Sequence, residues 1–348
     1  MNEQFGKFMI GAAVPVRWLE DGEFALHLAS TRALCHSAAL VSLPWAQIEP
    51  EPERVNAAVL SRCRTALESL RDADMEPVCI LSDSVAPQWF DAQGGWAHPE
   101  AANRFRTYAA CVAKSFAPLC QWWVPLAEPE YWLARTYHER GLSGYRHALT
   151  QMIRAHGEAC SALRAARTDA KVGLSVRVFS AEPADIDSPW DLRAARRLEH
   201  RLNHRMADRL REISGKDAFD FVLPSWGGVV SAWFSPGQWL REWVTTVDKN
   251  RARISLQDAH WDAARFDEAL SALLGYQTPI LVLGENEQSS TLHAQLRAVS
   301  RRCAEEGGDR VAGFLLRSPL DKAEWELNSP LLETMRAGAV SPPHDLEQ

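Results

Sequence analysis

Short apolar runs alternate with longer amphipathic stretches along this chain, and that rhythm leaves few folds open. The runs occupy residues 8–14, 39–45, 78–81, 124–126, 172–178, 219–224, 280–284 and 311–316. Between them the apolar positions take helical spacing. Val55, Val59, Leu60, Cys63, Leu67 and Leu70 form one such stripe, and Phe105, Tyr108, Ala109, Val112 and Phe116 form another. Strand–helix alternation without a repeat block or a linker predicts a parallel sheet. Eight strands over 348 residues favour a closed (β/α)8 TIM barrel over a doubly wound sheet. The GxGxxG that a Rossmann unit needs after a strand is absent. A single barrel domain is therefore expected over residues 1–337, with a flexible tail over 338–348. Residues 253–257 are a further candidate strand, inside the connection to strand seven.

Composition narrows the partners. A formal charge of −7 and no basic patch argue against nucleic acid or an anionic membrane. No stretch approaches the roughly 20 apolar residues that cross a bilayer. The first residues lack the basic and apolar regions of a secretory signal. The seven cysteines are scattered, with no CxxC, so a zinc ribbon or thioredoxin-type site is not expected. Cys79, Cys111, Cys120 and Cys160 lie in apolar segments and read as small core residues. A reducing, cytoplasmic compartment fits. Glu199, His200 and His204 have a spacing that shares a helix face, but the arginines around them favour a solvated helix over a metal site. No metal or cofactor is expected.

Two of the runs end in the same way. Trp122-Trp123-Val124-Pro125-Leu126-Ala127 leads into Glu128-Pro129, and the run ending at Leu283-Gly284 leads into Glu285-Asn286. Pro129 cannot donate to a sheet ladder, so pairing stops there. In an α/β barrel the chemistry sits where strands end at the C-terminal face. Two strands that each deliver a glutamate to that face point to a carboxylate pair. The 14 tryptophans add to this: Trp45, Trp89, Trp96, Trp122, Trp226 and Trp325 fall at or near strand ends. They are open to two readings, core packing and platforms that stack on sugar rings.

With these segments in view, the chain resembles glycoside hydrolase family 1, the retaining β-glycosidases. Val41-Ser42-Leu43-Pro44-Trp45-Ala46-Gln47-Ile48-Glu49-Pro50 is similar to that family's second strand. Pro87-Gln88-Trp89 and Gly94-Gly95-Trp96 resemble the loop after its third. Trp123 to Pro129 resembles the segment that carries the acid/base glutamate, and Ile280 to Asn286 the segment that carries the nucleophile. Asp220-Phe221 resembles the start of strand six, and His156 matches a helix position of structural character. Gly313 to Trp325 resembles the last strand and its loop, with Ser318, Asp321, Glu324 and Trp325 matching. The resemblance covers almost the whole chain in the family's order. It implies trimmed loops and a more open site, because the chain is short for the family. Several family positions differ. Trp18 stands for a glutamine, Asp83 for a histidine, Gln47 for an arginine, and Ala127 for an asparagine. Ser225 and Trp226 replace an asparagine and a tyrosine, and Arg317 replaces a tryptophan.

The resemblance implies Glu128 as acid/base and Glu285 as nucleophile, with substrate contacts from Glu324, Trp325, Arg317, Asp83, Trp226, Trp18 and Trp45. Retaining hydrolysis needs the two carboxyl groups about 5–5.5 Å apart, one protonated and one ionised. Desolvation beside a Trp-rich strand is expected to hold Glu128 protonated. Arg317 has two readings, a counter-charge for Glu285 or a fork for an acidic group of the substrate. Asp83 suits an amino group, and Asp83 and Arg317 form an internal pair in a third reading. Ala127 removes a contact to the sugar 2-hydroxyl. The expected function is a retaining glycosidase or transglycosidase acting on a modified or non-glucose glycoside. The alternative is a barrel that binds a ligand, or does other acid/base chemistry, with the same carboxylates. The partner is a small-molecule glycoside or glycosylated metabolite.

Overall fold

The computed structural model describes residues 8–14, 37–83, 85–137, 141–236, 245–247, 256, 259–284, 289–304 and 310–317. Its strands are β1 (Met9–Val14), β2 (Ala38–Ser42), β3 (Glu76–Ser82), β4 (Trp122–Leu126), β5 (Lys171–Pro183), β6 (Phe221–Trp233), β7 (Thr245–Val247), β8 (Ile280–Gly284) and β9 (Val311–Leu316). All except β7 run parallel. β1 to β6 pair in sequence, β6 pairs β8, β8 pairs β9, and β9 returns to β1. The ring is thus closed, the (β/α)8 barrel expected from the alternation.

The helices form the outer layer. They are α1 (Trp45–Ile48), α2 (Ala57–Asp72), α3 (Gln88–Ala92), α4 (Ala101–Phe116), α5 (Pro129–Tyr137), α6 (Gly141–Ala166), α7 (Pro189–Asn203), α8 (Arg205–Ser214), α9 (Ala263–Leu274) and α10 (Ser289–Ala304). Their starts follow local chemistry. The Asn56 side chain accepts from the Ala58 and Val59 amides at the head of α2. Ser188 caps α7, which has proline in its first turn. Their apolar stripes, such as Val59, Cys63, Leu67 and Leu70 on α2, face the barrel wall.

Inside the barrel, polarity changes along the axis. Met9, Ala38, Leu40, Val78, Ile80, Phe221, Leu223, Leu281, Leu283 and Leu315 fill the interior. Because strand side chains alternate faces, the next inward position on β2 is Ser42, on β3 Ser82 and on β6 Ser225. On β5 the row Gly173, Ser175, Arg177 rises the same way, and the row on β9 leads to Arg317. The apolar plug therefore gives way to a polar mouth at the C-terminal ends of the strands.

β5 and β6 extend well past their neighbours and stay paired to Pro183↔Ala232. A bulge interrupts them between Val178 and Phe179, opposite Trp226 and Gly228. Gly228 takes φ +105°, and a Cβ on Gly227 would fall 2.4 Å from the Phe179 ring, so glycine is needed at both. Asn203, at the end of α7, holds the bulged residue by accepting from the Phe179 amide at 3.0 Å and donating to its carbonyl at 2.7 Å.

Some boundaries differ from the sequence expectation. The second strand stops at Ser42, and Trp45 begins a short helix after Pro44. The additional strand is Thr245–Val247, antiparallel to β6. Of residues 253–257 only Leu256 is described, and the expected tail over 338–348 lies outside the described residues. The charged stretch from Pro189 to Ser214 forms two helices that break at His204.

Asn203→Ala is expected to lower the unfolding free energy by about 2 kcal/mol, since it strands two buried backbone groups. Urea denaturation followed by tryptophan fluorescence measures this.

Candidate active site

Glu128 leaves β4 at the polar mouth. The Ala127 amide donates to the Ser82 carbonyl at 2.9 Å, a last tie to β3. Glu128 then adopts φ +44°, left-handed for a residue with a side chain. Such a conformation costs about 1–3 kcal/mol and persists only where the surroundings enforce it. Here they do: its amide donates to Ser175 Oγ at 3.2 Å, and its carbonyl accepts from the Trp132 amide at 3.0 Å, starting α5.

The carboxylate is met from three strands. Ser225 Oγ donates to Oε1 at 2.6 Å. Arg177 approaches Oε2 at 3.5 Å, and Arg317 donates to Oε1 in a close ion pair. Arg177 and Ser225 are register partners on β5 and β6, so one rung of the sheet supplies both. The Arg177 guanidinium also lies 4.7 Å from the centre of the Tyr131 ring. The Arg317 amide donates to the Gly284 carbonyl at 2.9 Å, fixing it beside the end of β8.

These charges decide the protonation state. Burial pushes the Glu128 carboxyl up, but Arg317, Arg177 and the Ser225 hydrogen bond together outweigh it and hold it below its usual value. The sequence expectation of a protonated Glu128 is therefore corrected. Desolvation is present, but two guanidiniums favour the charged form more strongly. Arg317 likewise lies on Glu128, and the Asp83 side chain accepts from Ser42 Oγ at 2.9 Å.

Two residues further on, Glu130 anchors the same turn from behind. Arg205 donates to both its oxygens, at 3.1 and 2.7 Å, and Tyr145 donates at 3.1 Å. Burial raises the Glu130 pKa, and Arg205 opposes the rise. A buried bidentate pair fixes the start of α5, and hence the direction in which Glu128 leaves the strand.

Two of the tryptophans expected at the ligand are in the wall. Trp45 is only 1% exposed, stacks on Tyr108 at 5.1 Å and donates from Nε1 to Glu49 at 2.9 Å. Trp226 faces the helix layer, edge-on to Trp261 and Phe266. Its neighbour Ser225 faces the mouth, and strand alternation separates the two. Glu285, Trp18, Glu324 and Trp325 lie outside the described residues. Glu285 follows Gly284, the last residue of β8, whose C-terminal end shares a rim with that of β4. Arg177, Ser175 and Ser225 were not among the expected contacts. A lone arginine within the apolar run Leu174-Ser175-Val176-Arg177-Val178 was the available signal.

Other features are structural. His156 donates from Nε2 to the Ala218 carbonyl at 3.2 Å, and burial pushes its pKa down to about 4. His200 pairs with Asp208 and His204 with Tyr276, and among the described residues no cluster stands ready to hold a metal ion. No described helix is long and apolar enough to cross a membrane.

A closed (β/α)8 barrel with a buried glutamate at the end of β4 defines a class of barrel with a carboxylate-centred mouth. The sequence profile of glycosyl hydrolase family 1 matches residues 24–216, more than half of the chain, and the chain belongs to that family. It is 22% identical to human lactase-like protein, over 82% of this chain and 62% of that protein. It is 28% identical to β-glucosidase A of Thermotoga maritima, over 54% of this chain and 42% of that one. The chain thus spans less than two thirds of these relatives' lengths. Among solved structures, a family 1 β-glucosidase of Thermotoga maritima superposes with a TM-score of 0.72 at 18% identity, covering 89% of this chain and 88% of that one. A β-glucosidase of Thermotoga maritima in complex with glucoimidazole gives 0.71.

Because the folded-state pKa of Glu128 is depressed, its ion pairs contribute stability above the ordinary carboxylate range and lose it as pH falls through the folded value. The stability gap between wild type and Glu128→Gln is therefore expected to be widest near neutral pH and to narrow in acid, as read by denaturant unfolding across pH. Arg205→Met leaves Glu130 buried without its cation and is expected to cost about 3–5 kcal/mol in the same assay.

Proposed function

We propose that this chain is a retaining glycoside hydrolase or transglycosidase working by two carboxyl groups, on a modified or non-glucose glycoside. The observation that carries the reading is Glu128, held in a left-handed turn at the C-terminal end of β4 and aimed into the polar mouth. Family membership supports it, as do relatives named for β-glucosidase activity and a structural neighbour that holds glucoimidazole.

In this reading Glu285 attacks the anomeric carbon as a carboxylate, forming a glycosyl ester. Glu128 gives its proton to the departing glycosidic oxygen. Glu128, now a carboxylate, takes a proton from water or from an acceptor alcohol, whose oxygen attacks the anomeric carbon and frees Glu285. The inward charges of Arg177 and Arg317 suit a ligand unlike plain glucose. The six described cysteines are all free, which suits the cytoplasmic compartment of our reading.

The ionised state of Glu128 favours a second reading, in which the barrel binds a ligand or uses the carboxylate as a base without cleaving a glycoside. A panel of chromogenic aryl glycosides separates the two. The first reading expects wild-type turnover, complete loss in Glu285→Gln, and a fall of about a hundredfold or more in Glu128→Gln on substrates with poor leaving groups. Tight ligand binding with no turnover of any glycoside establishes the second.

A further inference from the structure

We infer that the substrate is an anionic glycoside whose acidic group takes the guanidiniums of Arg177 and Arg317 away from Glu128, and that only such a substrate arms Glu128 as an acid. The inference rests on the glycosidase reading above and adds the substrate class.

The clamp is built with its cations outermost. The Glu128 side chain is 12% exposed, whereas Arg177 is 25% exposed and Arg317 35%. Both arginine side chains are thus more accessible to an entering ligand than the carboxylate they face. The approach of Arg177 to Glu128, from Nη1 to Oε2, is 3.5 Å, and the Arg177 Nε is buried with no hydrogen-bond partner. A guanidinium has five N–H donors in a planar fork that fits a carboxylate or phosphate through two parallel bonds. The looser contact to Glu128 leaves that capacity unused. Among the described residues, the carboxylates on either side of the turn have partners of their own: Glu130 has Arg205, and Asp83 has Ser42. Tyr131 supports the Arg177 plane from below and competes for none of its donors.

A neutral sugar hydroxyl cannot outcompete a carboxylate for two guanidiniums. Near neutral pH a neutral glycoside therefore meets a Glu128 that the two guanidiniums hold toward its ionised form, and finds little of the acid form to donate a proton. An acidic group acts twice. It removes the counter-charges that hold the carboxyl ionised, and it brings a like charge that disfavours ionisation. Glu128 then takes a proton from solvent and passes it to the glycosidic oxygen as the carbon–oxygen bond breaks. The leaving alcohol departs with that proton, and the Glu285 ester forms. Where the acidic group belongs to the aglycone, its departure restores the clamp for the following step, in which Glu128 must be a base. Where it belongs to the sugar, Glu128 has already lost its proton to the leaving oxygen and takes one from the incoming water or alcohol. The same chemistry is offered by a sugar carboxylate, a sugar phosphate or an acidic aglycone.

The experiment uses the full chain with a matched set of phenyl β-glycosides: the glucoside, the glucuronide, the glucoside phosphorylated on its primary hydroxyl, and a glucoside of carboxyphenol. Dinitrophenyl β-glucoside and β-glucuronide, which leave without a proton, are run alongside. The expected result is that at least one anionic phenyl member exceeds the neutral glucoside in kcat/KM by about tenfold or more, while the dinitrophenyl pair differs less. The member that gains identifies where the charge sits. Arg177→Gln is expected to collapse the preference and move the basic limb of the neutral glucoside's pH profile upward. Arg177→Lys keeps the charge without the fork, and is expected to retain part of the preference. Turnover of the dinitrophenyl substrates with equal rates on neutral and anionic phenyl glycosides overturns the inference and leaves the glycosidase reading standing. No turnover of any member of the set, phenyl or dinitrophenyl, removes both.

Discussion

A carboxylate sunk into the mouth of a barrel cannot stay charged by itself, and much of this site follows from how Glu128 does so. Burial alone pushes its proton affinity up. The answer is a rung of the sheet, Arg177 on β5 opposite Ser225 on β6, closed by Arg317 after β9. The dependence runs in a circle. Glu128 opens α5, α5 carries Tyr131, and Tyr131 supports the arginine that faces Glu128. Moving any member displaces the others, which is how a left-handed glutamate is held against its own backbone preference.

The support extends outward in two further layers. Behind the turn, Glu130 is gripped by Arg205 and Tyr145, tying α5 to α6 and α8. Above the rim, the long β5–β6 ribbon leaves the barrel through a bulge that Asn203 pins from α7. Its outer face packs Phe179, Val230 and Ala232 against Leu198 and Leu202. The ribbon thereby gives the mouth a rigid side wall, made of strand and bulge.

The barrel itself was legible because its signals are local. Apolar runs of strand length, helical stripes and a proline after Glu128 each report on their own few residues. What the sequence concealed depends on which face a side chain takes. Trp226 and Ser225 are adjacent, yet strand pairing sends the serine to the ligand side and the tryptophan to the helix layer. Trp45 sits at a strand end in sequence, but a short helix after Pro44 turns it into an aromatic cluster. The protonation state of Glu128 was misread for a related reason. The desolvating strand is contiguous with it, whereas Arg317 is 189 residues away and Arg177 comes from a different strand. Local sequence showed the burial and not the charges that overcome it.

The resemblance to family 1 placed the neutral, hydrogen-bonding positions of a glucose pocket at residues that are here alanine, serine, arginine and aspartate. The two kinds of lining recognise ligands by different physics. A shell of amides and hydroxyls collects many modest bonds, each worth about 0.5–1.5 kcal/mol, and needs long loops to bring them to bear. Guanidiniums concentrate recognition in a few charge-assisted contacts, strongest where water is scarce. This second kind can be mounted on the strands themselves, as Arg177 is on β5 and Arg317 directly after β9. For an anionic ligand of the kind inferred above, it would also couple recognition to protonation, because the arginines that face Glu128 set its charge.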